Sequence, residues 1–178
     1  MLNKILSFFG GILARYLNKE SHLHRAPLHT SDQLLATLQP GDVLLVEGNR
    51  RVSTAIKYLT QSTWSHAALF IGVKNDFDLA PNHCFVEADT IDGVRTVGVD
   101  EFQGLNVRIC RPIGLTDEDR SRVIDNAMIR VGHQYDLRNV WDLARYLFRT
   151  PPVPQAYRRR MIALGSGDPT RAICSTLV

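Results

Sequence analysis

Residues 65–73, SHAALFIGV, constrain the fold more than any other stretch of the sequence. After its polar start the run is apolar on both alternating faces, and such a strand is stable only inside a sheet covered on both sides. His66 is the second residue of this run, at its polar start. A strand end holds an imidazole rigidly, and the small Ala68, on the same face, leaves space beside it. We therefore predict a central strand here, with His66 either a functional base or a hydrogen-bonded structural histidine.

Further short elements are predicted on both sides of this strand. Apolar runs bounded by turn residues predict strands at residues 43–46, 85–88, 94–99 and 107–110. Helical spacing of apolar residues predicts helices at residues 51–60, 117–131 and 139–148. Thr116 is the expected N-cap of the second of these, because acidic residues follow it in the first turn. Strands mainly first and helices mainly after indicate an α+β fold.

The first residues of the chain have the pattern of an amphipathic helix. Their apolar stretch is shorter than the roughly 20 residues that span a bilayer, and Arg15 interrupts it. We predict this helix at 1–20, a polar connector at 21–37 and one domain at 38–178. No cleavage site or lipid-accepting cysteine follows, so we expect a cytoplasmic protein. Residues 2–17 dock on the domain, pair with another chain or lie on a membrane surface.

Charge and cysteine content exclude several classes of function. The 21 basic and 18 acidic residues are scattered and give a net charge of +3, which does not indicate nucleic-acid binding. The three cysteines have unrelated spacings and no C-x-x-C motif, so we expect no disulfide framework. The cluster of His22, His24 and His29 lacks a cysteine or acidic residue at ligand spacing. We therefore predict no metal and no cofactor.

Cys174 is the candidate nucleophile. It follows a loop-forming segment at 165–169 and opens an apolar run, which is typical of a cysteine at a helix N-terminus. The positive end of a helix and a nearby imidazolium lower a thiol pKa, and free backbone N–H groups there can hold an oxyanion. A buried, inert cysteine is the alternative.

Three further residues are candidate partners of this thiol. His66 is the natural base, and Glu87 in CFVEAD is a carboxylate within an apolar strand, where it needs a partner such as an imidazole N–H. Asp89 lies on the same strand face as Glu87 and is the alternative candidate for orienting the imidazole. Tyr135 in GHQYDL is a candidate for an oxyanion or substrate contact, with packing between two helices as the alternative.

Five segments together resemble a known family: LQPGDVLLVEG, STAIKYLTQSTWSHAALFIG, CFVEAD, VGHQYDL and ICSTLV. They are similar to the circularly permuted papain-fold hydrolases of the YiiX/YaeF type, relatives of the NlpC family, from about residue 38 onward. The resemblance implies a small antiparallel sheet or barrel packed against helices, with the histidine strand preceding the cysteine helix. It also implies Cys174 as nucleophile, His66 as base and Glu87 as the residue that orients it.

The expected activity is cleavage of an amide bond, peptide-like or N-acyl, through an acyl-enzyme. One alternative is a lipid acyltransferase or lipid hydrolase that uses the same Cys-His site at a membrane surface, and a second is a non-catalytic binding module. The partner is accordingly an amide- or acyl-containing small molecule, peptide or lipid. Fold alone does not choose among these substrates.

Only four residues follow Cys174, too few for a stable helix. We therefore expect either that the C-terminal helix is cut short or that another segment packs in its place. We also expect the chain to be less active and less stable than one extended at this end.

Overall fold

The computed structural model of the protein describes residues 29–73, 77–89, 92–135 and 171–172. The helices in these ranges are α1 (Ser31–Thr37), α2 (Arg51–Thr60) and α3 (Asp117–Ile129), with a 3-10 helix at Val99–Phe102. The strands are β1 (Val43–Glu47), β2 (His66–Phe70), β3 (His83–Asp89), β4 (Gly93–Gly98), β5 (Asn106–Cys110), β6 (Gln134–Tyr135) and β7 (Arg171–Ala172). The helices predicted at 1–20 and 139–148 lie outside the described residues.

Five strands form one antiparallel sheet in the order β4-β3-β2-β1-β5. β2 lies at its centre, which confirms the prediction for the run that follows His66. Among the described strands no ladder joins β4 to β5, so this part of the chain is an open sheet and not a barrel. With the helices packed on it, the architecture is α+β, as predicted.

Both faces of the sheet are covered by apolar side chains. On the α2–α3 face, Leu69 of β2 and Val86 of β3 pack with side chains of the two helices. On the α1 face, Phe70 and Phe85 pack with α1 and the 3-10 helix. Because successive strand residues point to opposite faces, His66 and Glu87 belong to the α1 face together with Ala68.

Helix α1 lies within the segment that we expected to be a connector. Thr30 and Gln33 form a capping box, in which each side chain receives a hydrogen bond from the other residue's backbone N–H. Leu34 and Leu38 are buried against the sheet. A short helix is stable here because tertiary packing and a capped end compensate for its length.

Helix α3 begins as predicted. The Thr116 hydroxyl accepts a hydrogen bond from the backbone N–H of Asp119, and the Asp119 carboxylate accepts one from the backbone N–H of Thr116. The chain then turns at Gly132, whose φ of +89° favours glycine. This turn leads into β6.

Phe85 is the central aromatic residue of the α1 face, fully buried with ring centroids 5.1 Å from Phe70 and 4.9 Å from Phe102. We expect Phe85→Ala to lower the free energy of unfolding by about 3–5 kcal/mol, since it removes apolar contacts and leaves a cavity. Urea unfolding followed by circular dichroism measures this loss. Ile113→Ala, at a fully exposed site, is the control and should change stability by less than about 0.5 kcal/mol. Equal effects of the two substitutions would contradict this account of the core.

Candidate active site

His66 and Glu87 are brought together by neighbouring central strands. His66 is the first residue of β2, and Glu87 in β3 lies opposite Ala68, two residues along the same face. The two side chains are therefore diagonal neighbours, and Nε2 of His66 lies 2.9 Å from Oε2 of Glu87. The imidazole is 24% exposed and the carboxylate 4%. The carboxylate at Nε2 fixes the orientation of the ring.

The second oxygen of Glu87 is bound by Arg95, which lies directly opposite on β4. Nε and Nη2 of Arg95 donate to Oε1 at 3.0 and 2.8 Å. Burial alone would raise the pKa of Glu87, but the hydrogen bond from His66 and the charges of His66 and Arg95 outweigh it and hold the pKa below its usual value. Glu87 is therefore an ionised, buried carboxylate between the imidazole of His66 and the guanidinium of Arg95.

The ion pairs continue beyond Arg95 along the wall of the site. Arg95 also donates from Nη2 to Glu101 at 3.0 Å and from Nη1 to Asp92 at 3.1 Å. Glu101 lies 3.5 Å from Nη2 of Arg50, whose Nη1 donates to Asp89 at 3.0 Å. The network links the β3–β4 hairpin, the 3-10 helix and the start of α2.

His66 and Glu87 line a cleft of about 360 Å³. Its walls come from the ends of β1, β2 and β3, the start of α2, and the 3-10 helix with the residues that follow it. The volume lies in the range of small-molecule sites. A ligand in it has access to the imidazole, to charged side chains such as Arg50, and to apolar ones such as Phe102.

Gly48 fits the floor of this cleft because a side chain there would overlap Oγ of Ser53 and crowd Oγ of Ser65. The backbone N–H of Gly48 donates to Oγ of Ser65 at 3.0 Å. Ser65 directly precedes His66 and its backbone N–H donates to the carbonyl of Val46 at 3.0 Å. Ser65 is thus held by hydrogen bonds at both its backbone and its side chain, directly before His66.

The structure brings together two of the four predicted site residues, His66 and Glu87. Asp89, the competing carboxylate, is paired with Arg50. Cys174 and the side chain of Tyr135 lie outside the described part of the chain. The described part of the site therefore contains His66 and Glu87 but not the predicted nucleophile.

Arg95 was missed in the sequence, although the signal for it is present. The sequence Ile91-Asp92-Gly93 between the predicted strands at 85–88 and 94–99 indicates a tight turn, and a hairpin pairs residues whose numbers sum to a constant. Counting back from a turn centred on residue 92 places Val97 opposite Glu87 and Arg95 two residues away on the same face. In the structure the paired residue numbers around Glu87 sum to 182, so Arg95 itself lies opposite Glu87. A basic residue on the same face of a hairpin as a buried carboxylate is a candidate partner for it.

Two further observations concern the described residues alone. No group of three His, Cys, Asp or Glu side chains within them is arranged to hold a metal ion. Their helices are also too short or too polar to cross a membrane.

An α+β domain with an imidazole–carboxylate pair in a cleft has the features of a papain-like hydrolase. A family model described as "permuted papain-like amidase enzyme, YaeF/YiiX, C92 family" matches residues 37–165, and the chain belongs to this family of enzymes. The match confirms the resemblance expected from the sequence; it includes His66 and Glu87 and ends before Cys174. A search of curated proteins gives no match.

Proposed function

We propose that the protein is a thiol hydrolase that cleaves an amide bond, with Cys174 as nucleophile, His66 as base and Glu87 as the residue that orients the imidazole. The observation that carries this proposal is the 2.9 Å contact between Nε2 of His66 and the buried carboxylate of Glu87, at the edge of a cleft. A carboxylate on one ring nitrogen fixes the tautomer and orientation of an imidazole and stabilises its protonated form.

The proposed reaction uses these groups in two stages. His66 takes the proton of the Cys174 thiol, and the thiolate attacks the amide carbonyl carbon to form a tetrahedral oxyanion. The C–N bond then breaks, and the amine leaves with the proton from the imidazolium. In the second stage His66 takes a proton from water, which attacks the thioester and releases the carboxylic acid and the thiol. Atoms and charges balance without a cofactor.

The position of β7 supports the inclusion of Cys174. β7, at Arg171–Ala172, pairs in parallel with β6 and ends two residues before this cysteine. The chain entering β6 is fixed to β4 by hydrogen bonds between Val94 and the segment 132–133. Cys174 therefore follows, in the sequence, a segment anchored at the edge strand β4. This strand pairs with β3, which carries Glu87. Tyr135, opposite Ala172 in this pair, is proposed as a contact for the oxyanion or the substrate.

Selective alkylation tests the proposed nucleophile without knowledge of the substrate. At about pH 6, iodoacetamide should react with Cys174 at least about tenfold faster than with the other two cysteines, because only an activated thiol is ionised there. Cys84 is an internal reference, since burial raises its pKa to about 11, and half-buried Cys110 is a second one. Mass spectrometry of the peptides gives the three rates.

The His66→Ala variant completes this experiment. Loss of the fast reaction at Cys174 in that variant would support activation of the thiol by the imidazole. Uniformly slow alkylation of all three cysteines in the unmodified protein would contradict the proposal and favour a binding module without catalysis.

A further inference from the structure

We propose that Arg95 is a positioning residue of the active site: it holds the Glu87 carboxylate in the orientation that presents one oxygen to His66. The inference rests on the proposed role of His66 as base and extends the site to a third strand.

The division of the two carboxylate oxygens carries this inference. Both hydrogen bonds from Arg95 go to Oε1 of Glu87, and the contact with His66 is made by Oε2. A carboxylate held on one oxygen by two donors cannot rotate about its terminal bond without losing both of them. Because its side chain is only 4% exposed, water cannot readily replace those donors. Oε2 is thereby kept at Nε2 of His66.

Arg95 can hold this orientation because its own guanidinium is fixed from the other side. Asp92 binds Nη1 and Glu101 binds Nη2, at 3.1 and 3.0 Å. A planar guanidinium with three carboxylate partners has little rotational freedom, whereas a lysine ammonium would offer a single nitrogen on a flexible chain. The geometry requires arginine specifically and not merely a positive charge.

The charge of Arg95 has a separate effect on the imidazole. A positive group beside Glu87 offsets part of the attraction between that carboxylate and an imidazolium, so it favours the neutral ring that serves as base. The charged groups around Glu87 come from each element packed against it: His66 of β2, Asp89 of β3, Asp92 before β4, Arg95 of β4, Glu101 of the 3-10 helix and Arg50 before α2.

The test is an NMR pH titration of the His66 ring in the full chain, with its signals assigned by comparison with His66→Gln. Arg95→Met should raise the pKa of His66 by about 0.5–1 unit, because a nearby positive charge is removed. It should also broaden the Nε2–H signal, because the carboxylate no longer holds that proton against exchange. Arg95→Lys should keep the pKa within about 0.3 unit of the original and still weaken the Nε2–H signal, which separates charge from orientation.

Arg122→Met is the matched control, since Arg122 forms an exposed ion pair with Glu118 on α3; it should change neither readout. If Arg95→Met does not fold, Arg95→Gln replaces it, because glutamine keeps one N–H donor for Oε1. A folded variant with an unchanged His66 titration and Nε2–H signal would overturn the inference, and so would unfolding of both neutral variants.

The NMR readouts need no turnover and no Cys174, so they are independent of the proposed reaction. A shifted His66 titration together with an unreactive Cys174 would refute the proposed function and leave Arg95 as a positioning residue for the imidazole. An unchanged His66 titration together with a reactive Cys174 would support the proposed function and refute the positioning role of Arg95.

Discussion

Replacing His66 with alanine is expected to lower kcat/KM for amide hydrolysis at least about 1000-fold, because the substitution removes the group proposed as both the base for the thiol and the acid for the leaving amine. The measurement is hydrolysis of the N-acyl p-nitroanilide that the unmodified protein cleaves fastest in a panel of varied acyl groups. The effect should fall on kcat more than on KM, since the imidazole acts in the transition state.

His83→Ala is the matched control for this experiment. His83 is also the first residue of a strand, and its Nδ1 lies 2.8 Å from Oγ1 of Thr96, so the substitution likewise removes a half-buried hydrogen-bonded imidazole. It does not line the cleft, and its loss should change kcat/KM by less than about threefold. Similar losses in the two variants, or more than a tenth of the original activity in His66→Ala, would contradict the role given to His66.

Glu87→Gln is expected to lower the free energy of unfolding by about 2–3 kcal/mol at neutral pH, since it leaves the guanidinium of Arg95 facing a buried neutral amide. The figure lies below that of a fully buried ion pair because Arg95 and His66 are 29% and 24% exposed and water screens them in part. Urea unfolding with the two-state analysis measures the difference. Glu118→Gln breaks the exposed pair with Arg122 and should cost less than about 0.5 kcal/mol.

The contribution of Glu87 should depend on pH in a defined direction. The folded state lowers the pKa of Glu87 below its usual value of 4.5, so the unfolded chain takes up a proton first as the pH falls. The stabilisation is therefore fully present above pH 4.5 and is lost as the pH falls from there through the lower pKa of the folded protein. The difference in stability between the original protein and Glu87→Gln should shrink over this interval. A difference that is constant with pH would show that the carboxylate charge contributes nothing.

Much of the sheet could be predicted because its strands carry local signals. The run after His66 is apolar on both faces, and this alone identifies the centre of a covered sheet. Glu87 within CFVEAD required a buried partner, and the structure supplies His66 and Arg95. The first prediction rests on the cost of exposing apolar side chains to water, and the second on the cost of an unpaired polar group in an apolar strand.

The remaining features depend on tertiary contacts that no local pattern contains. Helix α1 is too short to be favoured by its own sequence, and it forms because Leu34 and Leu38 pack on the sheet. The predicted strand at 94–99 ends at Gly98, where the chain turns into the 3-10 helix and buries Phe102. Asp89 and Glu87 share one strand face, and only the position of Arg50 at the start of α2 shows which partner each one has.

The imidazole and the carboxylate lie on β2 and β3, both interior strands of the five. This places the pair away from the two edges of the sheet. Strands at the edge of a sheet open by local fluctuation, whereas interior strands separate only when the whole domain opens. A one-residue slip between such strands would also turn one partner to the opposite side of the sheet. The geometry of the imidazole–carboxylate pair is therefore inherited from the native backbone pairing, and it should persist for as long as that pairing does.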